Sequence, residues 1–268
     1  MPAVELSRLH TQILLATQHF ASAADFVKGL GDLYDFYSDR TFTEADTRSR
    51  NLTLPAYNVT PLINQQFELD FGRLCRENPL SSLDVIDELW KQSMLEPRRL
   101  GANLLGKIPL EYSEQVILRL KAWSTPEEDH ELVKYLQKYG SLTLRQQDNK
   151  KWLSVIRTWL ESRDSQDEIF GLQSLLPLIE DPDYLDLPEI FPLVTLILAA
   201  PKPRITYTLQ TVLEALAKRT PNETIYLLKS VLGLPHSPEL PRLLRRLLPA
   251  FPEEQQKSLR LGLTENQK

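Results

Sequence analysis

"ELWKQSMLEPRRLGANLLGKIP", Glu88 to Pro109, decides the fold. It reads as the end of one helix, a tight corner, and a second helix opening with Arg98 and Arg99. Cations at a helix start oppose the helix dipole and cost about a few tenths of a kcal/mol. A pair of them there needs a reason, such as an anion held outside the chain or an acidic neighbour within it.

The same helix, corner and helix recur downstream. "RTWLESRDSQDEIFGLQSLLPLI", "LILAAPKPRITYTLQTVLEALAK" and "KSVLGLPHSPELPRLLRRLLPAF" each end one apolar helix, turn over a few polar or proline residues, and open another. Trp90, Trp159, Leu198 and Leu232 take the matching corner, at steps of 69, 39 and 34 residues. The first step is about two units of roughly 35 residues, near the period of about 40–47 for repeats of the HEAT class. A two-helix unit cannot bury its apolar face alone, so neighbouring units stack and share one core. The expectation is an all-α chain: an α-solenoid of HEAT-like antiparallel helix pairs, curved, with a concave face.

Upstream, "LSRLHTQILLATQHF" places Leu6, Leu9, Ile13 and Leu14 at steps of three and four residues. "ADFVKGLGDLYDFY" does the same with Phe26, Val27, Leu30, Leu33, Tyr34 and Tyr37. Then the period stops. Residues 38–60 are polar and rich in Thr and Ser, and read as a long loop. One helical-repeat domain over 1–268 follows, with an N-terminal helical pair (1–37), the loop (38–60) and the repeats (61–268). In "PLSSLDVIDELWKQ", Ser81 or Ser82 is the expected cap. No segment alternates as a strand does.

Composition agrees with a helical chain. Only 9 of 268 residues are Gly, too few for many tight turns between strands. The 19 prolines fall mostly between apolar stretches, where they start or stop helices. Cys75 is the single cysteine, so neither an intramolecular disulfide nor a cysteine-based metal site can form. With four histidines and none in a motif, Cys75 reads as a buried small residue. No metal or cofactor is expected. The first residues carry Glu5 and Arg8 within the apolar pattern, unlike a signal peptide. The longest apolar run, Phe191 to Ala200, is too short to span a bilayer. The expected location is cytoplasmic.

The net charge of −5 argues against a nucleic-acid binder that uses its whole surface. The charge is uneven, however. Residues 1–200 hold 20 Lys and Arg against 30 Asp and Glu, and residues 201–268 hold 11 against 6. Arginines also recur at the starts of second helices: Arg98 and Arg99, then Arg204, then Arg242. Free N–H groups and cations at such positions suit a groove that follows phosphates. Alternatively, these arginines pair with Glu96 and Glu239 beside them. The unit "SRDSQDEIFGL" presents Asp164, Asp167 and Glu168 instead.

"ELWKQSMLEPRRLGANLLG", "WLESRDSQDEIFGLQSLLPLI" and "PRITYTLQTVLEALAKRTPNETIYLL" together resemble the DNA alkylation repair enzymes built from HEAT-like repeats. The resemblance spans Pro61 to Leu248. That family comprises alkylpurine DNA glycosylases and non-catalytic relatives. The resemblance implies a concave basic groove holding duplex DNA, with Arg98, Arg99, Lys107, Lys150, Lys151, Arg204 and Lys218 as its phosphate contacts. It also implies a carboxylate that stabilises an oxocarbenium-like sugar, and aromatic rings that face a cationic alkylpurine. "AWSTPEEDHELVKYL" offers Trp123 and Asp129 for those roles, and Tyr207 is the later aromatic. The pattern departs from the family's. A proline lies between Trp123 and Asp129, Thr211 stands where a tryptophan is expected, and Glu168 and Ile169 replace arginines. The expected function is therefore duplex-DNA binding with weak or absent N-glycosylase activity. The alternative is a non-enzymatic scaffold for a protein partner.

Overall fold

Proline sets several helix starts. Pro61, Pro79 and Pro221 each stand at the first helical position, where the missing N–H has no intrahelical partner to lose. The computed structural model describes residues 5–39, 54–162 and 164–265. The expected loop at 38–60 lies outside the described residues over 40–53, and its last residues, 55–60, are neither helix nor strand. All regular structure among the described residues is α-helix or short 3-10 helix. No described helix is long and apolar enough to cross a membrane. Contacts divide the chain into two compact units, Met1–Asp148 and Asn149–Lys268.

The first unit holds α1 (Leu6–Thr17), α2 (Ala23–Tyr37), α3 (Pro61–Glu77), α4 (Pro79–Trp90), α5 (Leu95–Leu105), α6 (Ser113–Trp123), α7 (His130–Gly140) and α8 (Leu142–Gln147). Helix α5 packs against α3, α4 and α7, while α2 packs on α4. Phe26, Phe67 and Phe71 are fully buried, with Phe26 edge-on to Phe71 at 4.9 Å. Each such ring contributes about 2–3 kcal/mol by leaving water. The end of α5 lies tight on α7: a Cβ at Gly106 would stand 1.8 Å from the Tyr139 carbonyl oxygen.

The expected cap of α4 is corrected. Helix α4 begins three residues before Ser82, and Ser82 is buried. Its hydroxyl donates back to the Asn78 carbonyl at 2.8 Å, the turn a serine inside a helix commonly makes.

The second unit holds α9 (Asn149–Leu160), α10 (Ser165–Ile179), α11 (Ile190–Leu198), α12 (Thr206–Arg219), α13 (Pro221–Leu232), α14 (Glu239–Leu247) and α15 (Glu253–Glu265). Alternate helices touch: α10 with α12 and α12 with α14, then α9 with α11, α11 with α13 and α13 with α15. The corner residues Trp159, Leu198 and Leu232 are all buried, as is Trp152. The acidic start of α10 has a local cause. Asp164 Oδ1 caps it by accepting the Gln166 N–H at 2.7 Å.

Candidate functional site

The corner between α4 and α5 explains one of the two arginines. Helix α5 begins at Leu95, so its first turn carries Glu96 ahead of Arg98 and Arg99. Glu96 is buried, and its two oxygens accept the backbone N–H groups of Tyr57 and Asn58 at 2.9 and 2.7 Å. Arg98 turns back over the corner. Its Nε donates to the Gln92 carbonyl at 2.6 Å, and its Nη1 donates to both oxygens of Glu128, at 2.8 and 2.7 Å. The guanidinium also lies 5.7 Å from the ring centre of Trp90. Arg98 thus pins the start of α5 to the segment that leads into α7. Its partner is Glu128, not the neighbouring Glu96.

The residues expected to do chemistry are also held by the fold. Asp129 is the N-cap of α7, and its Oδ1 accepts the Leu132 N–H at 2.8 Å. Trp123 ends α6 and lies flat on Trp90, with ring centres 4.6 Å apart and planes within 7°. Asp129 follows directly on Glu128, the partner of Arg98. Tyr207 belongs to the second unit, at the start of α12, and is 72% exposed.

The expected phosphate contacts fall into two groups. In the first unit, Arg98 is engaged as described, while Arg99 and Lys107 are half-buried. Lys107 lies against Gly72 of α3, and its charge acts on Glu68. In the second unit, Lys150, Arg204 and Lys218 are exposed, and Lys151 is half-buried at the start of α9. Arg242 pairs with Glu239 at 2.6 Å, as the alternative expectation had it.

Two arginines were not singled out in the sequence. Arg219 donates to the carbonyls of Ile179, Asp181 and Tyr184, and Arg145 donates to that of Lys138. Both close off carbonyls at or just beyond a helix end, as Arg98 does at Gln92. A fork of five donors suits that task. Arg145 reaches back seven residues and Arg219 about forty, so no common local spacing marks them.

The first unit also holds a cleft of about 440 Å³. Its walls are Asn64, Gln65 and Glu68 of α3, Glu96, Arg99, Leu100 and Asn103 of α5, Tyr135 and Tyr139 of α7, and the segment near Asn58. Asn58 has φ of 56°, the left-handed region that Asn tolerates better than most residues. Arg99 lies over Tyr135, 5.2 Å from its ring centre, and Tyr135 meets Tyr139 at 4.3 Å. Asn103 Nδ2 donates to the Tyr135 hydroxyl at 3.1 Å. Burial pushes the Glu68 carboxyl upward, against the opposing pull of Lys107 and Asn103. Burial likewise pushes Tyr135 up to about 12.

Among the described residues, no group of three or more His, Cys, Asp or Glu side chains is placed to hold a metal ion. The described residues define a class, an all-helical protein, whose first unit carries a polar cleft along α5. A sequence model of the DNA alkylation repair enzymes matches residues 71–247, about two thirds of the chain. The chain belongs to the DNA alkylation repair enzyme family. No curated protein and no solved structure matches it.

Proposed function

We propose that this chain binds duplex DNA in the basic concave groove of a HEAT-like α-solenoid, with weak or absent N-glycosylase activity towards cationic alkylpurines. The observation that carries the reading is the family match over residues 71–247. The order of contacts in the second unit supports the solenoid. There α10, α12 and α14 follow one another on one side, and α9, α11, α13 and α15 on the other. The exposed cations Lys150, Arg204 and Lys218 are suited to phosphate. Lys151, Arg99 and Lys107 are less open, and Arg98 serves the corner instead.

The limited chemistry follows from what Asp129 and Trp123 already do. An Asp129 oxygen is engaged by the first turn of α7, and one face of Trp123 is covered by Trp90. A carboxylate that must meet a developing oxocarbenium ion acts best when no other donor competes for it.

The test is fluorescence anisotropy with duplex DNA over a salt series, with base release followed in the same tube. Affinity is expected to fall steeply with salt, with little or no modified base released. Failure to bind duplex at low salt overturns the reading. One observation favours the alternative scaffold reading: an open apolar shelf of Pro188, Phe191, Pro192 and Tyr226, with Tyr226 78% exposed. A protein partner lost on Tyr226→Glu, with no DNA bound by the unaltered chain, would establish that alternative.

A further inference from the structure

The cleft along α5 contains an arginine that the fold does not use. Arg99 makes no hydrogen bond or ion pair with any described residue, and its buried Nε has nothing to donate to. Unmet guanidinium donors are costly away from water. Only the Tyr135 ring holds this one, at 5.2 Å.

The surrounding groups limit what could satisfy it. A phosphate would meet the carboxylates of Glu68 and Glu96 on the same walls. A cation would meet Arg99. An apolar guest would leave Arg99 unanswered. The guest that fits is neutral and flat. It offers acceptors to Arg99 and N–H donors to Glu68.

We propose that this cleft receives one guanine-type base, with Arg99 donating to O6 and N7 and Glu68 accepting from N1–H and the exocyclic amine. Arginine is the common reader of that O6/N7 edge. Adenine presents the reverse pattern, an amine where guanine has O6 and an acceptor at N1. The volume of about 440 Å³ leaves space for the attached sugar. A base lifted from DNA and a free nucleoside share this chemistry, and the DNA source rests on the proposed function above.

Two measurements on the full chain test the assignment. The first is equilibrium dialysis of guanosine and adenosine. The second is anisotropy of duplexes carrying one unpaired guanine or one unpaired adenine. Guanosine is expected to bind about tenfold or more tightly than adenosine. Arg99→Met and Glu68→Ala are each expected to remove that preference with unchanged helical circular dichroism. If either variant does not fold, guanosine-induced shifts of the Tyr135 and Tyr139 ring signals in the unaltered chain decide the matter. A matching preference for unpaired guanine assigns the DNA source, and guanosine preference alone assigns the free nucleoside. Equal affinities for the two nucleosides, or no guanosine binding, overturn the proposal. Salt-dependent duplex binding would then still stand by itself.

Discussion

Arg98 and Glu128, 30 residues apart, meet across the corner between α4 and α5 with one Nη1 donating to both carboxylate oxygens at 2.8 and 2.7 Å. Each side chain is only 17% exposed. Removing one partner of such a pair leaves the other charge poorly solvated. Arg98→Met is therefore expected to cost about 2–4 kcal/mol in chemical denaturation. Arg98→Lys should recover only part of this, because an ammonium cannot reach both Glu128 and the Gln92 carbonyl as the fork does. The salt slope of duplex binding by folded Arg98→Met should match that of the unaltered chain. A flattened slope would return Arg98 to the phosphate contacts.

The sequence revealed the helices more readily than the side-chain partners. The steps of three and four residues and the prolines located most helices, and the corner residues Trp90, Trp159, Leu198 and Leu232 are buried. Helix α8 was missed because "LTLRQQ" is too short to show a period. The apolar stripe also overstates the buried face of α1, where Leu9 and Ile13 are buried but Leu14 is 63% exposed. The partners were hidden for a different reason. Glu128 is 30 residues from Arg98, so local spacing pointed to Glu96, which instead holds the backbone at Tyr57 and Asn58. The cleft draws its walls from α3, α5 and α7, and no local motif brings Glu68, Arg99 and Tyr135 together.

Lys150, Arg204 and Lys218 project from separate elements of the second unit and are exposed. A cation that contacts phosphate releases condensed counterion when it binds. Arg204→Ala and Lys218→Ala should each reduce the slope of log Kobs against log[salt] by about 0.9. Thermal stability should barely change, since surface substitutions usually stay within about 0.5 kcal/mol. Slopes unchanged in both variants would remove these residues from any DNA interface.

Asp129 separates a structural role from a catalytic one. As the cap of α7, Asp129→Ala should cost about 1 kcal/mol, whereas Asp129→Asn should cost little because asparagine caps equally well. If Asp129 were the catalytic carboxylate, Asn would abolish base release while preserving stability. Denaturation curves and a base-release assay on the same two variants distinguish the roles. Loss of release in Asp129→Asn would identify Asp129 as the catalytic carboxylate.

Two glycines should respond in opposite directions. Gly106 has the Tyr139 carbonyl oxygen 1.8 Å from where a Cβ would be, and backbone cannot retreat as a side-chain tip can. Gly106→Ala is expected to cost about 3 kcal/mol or more by forcing α5 from α7. Gly29, in the middle of α2, has nothing within 4 Å of that position. Gly29→Ala should stabilise by about 0.5–1 kcal/mol, as alanine restricts the unfolded chain and suits a helix interior. Paired thermal melts at one pH check both signs.

Cys75 is buried on α3, and burial raises its thiol from 9.0 to about 12. The Ser82 hydrogen bond and the charges of Arg76 and Lys107 oppose that rise without cancelling it. At any pH below 9 the folded chain therefore holds far less thiolate at this position than an ordinary cysteine would. Iodoacetamide at pH 8 should leave the folded chain unlabelled and react at once in denaturant. The sign for stability follows from the same shift. Folding favours the protonated thiol, so this contribution is complete below pH 9 and is lost as the pH climbs towards 12. Cys75→Ala should remove that part of the alkaline decline, leaving the part due to raised tyrosines such as Tyr135. Rapid labelling under native conditions would show that α3 opens locally around Cys75, and hydrogen exchange along Pro61–Glu77 would then locate the opening.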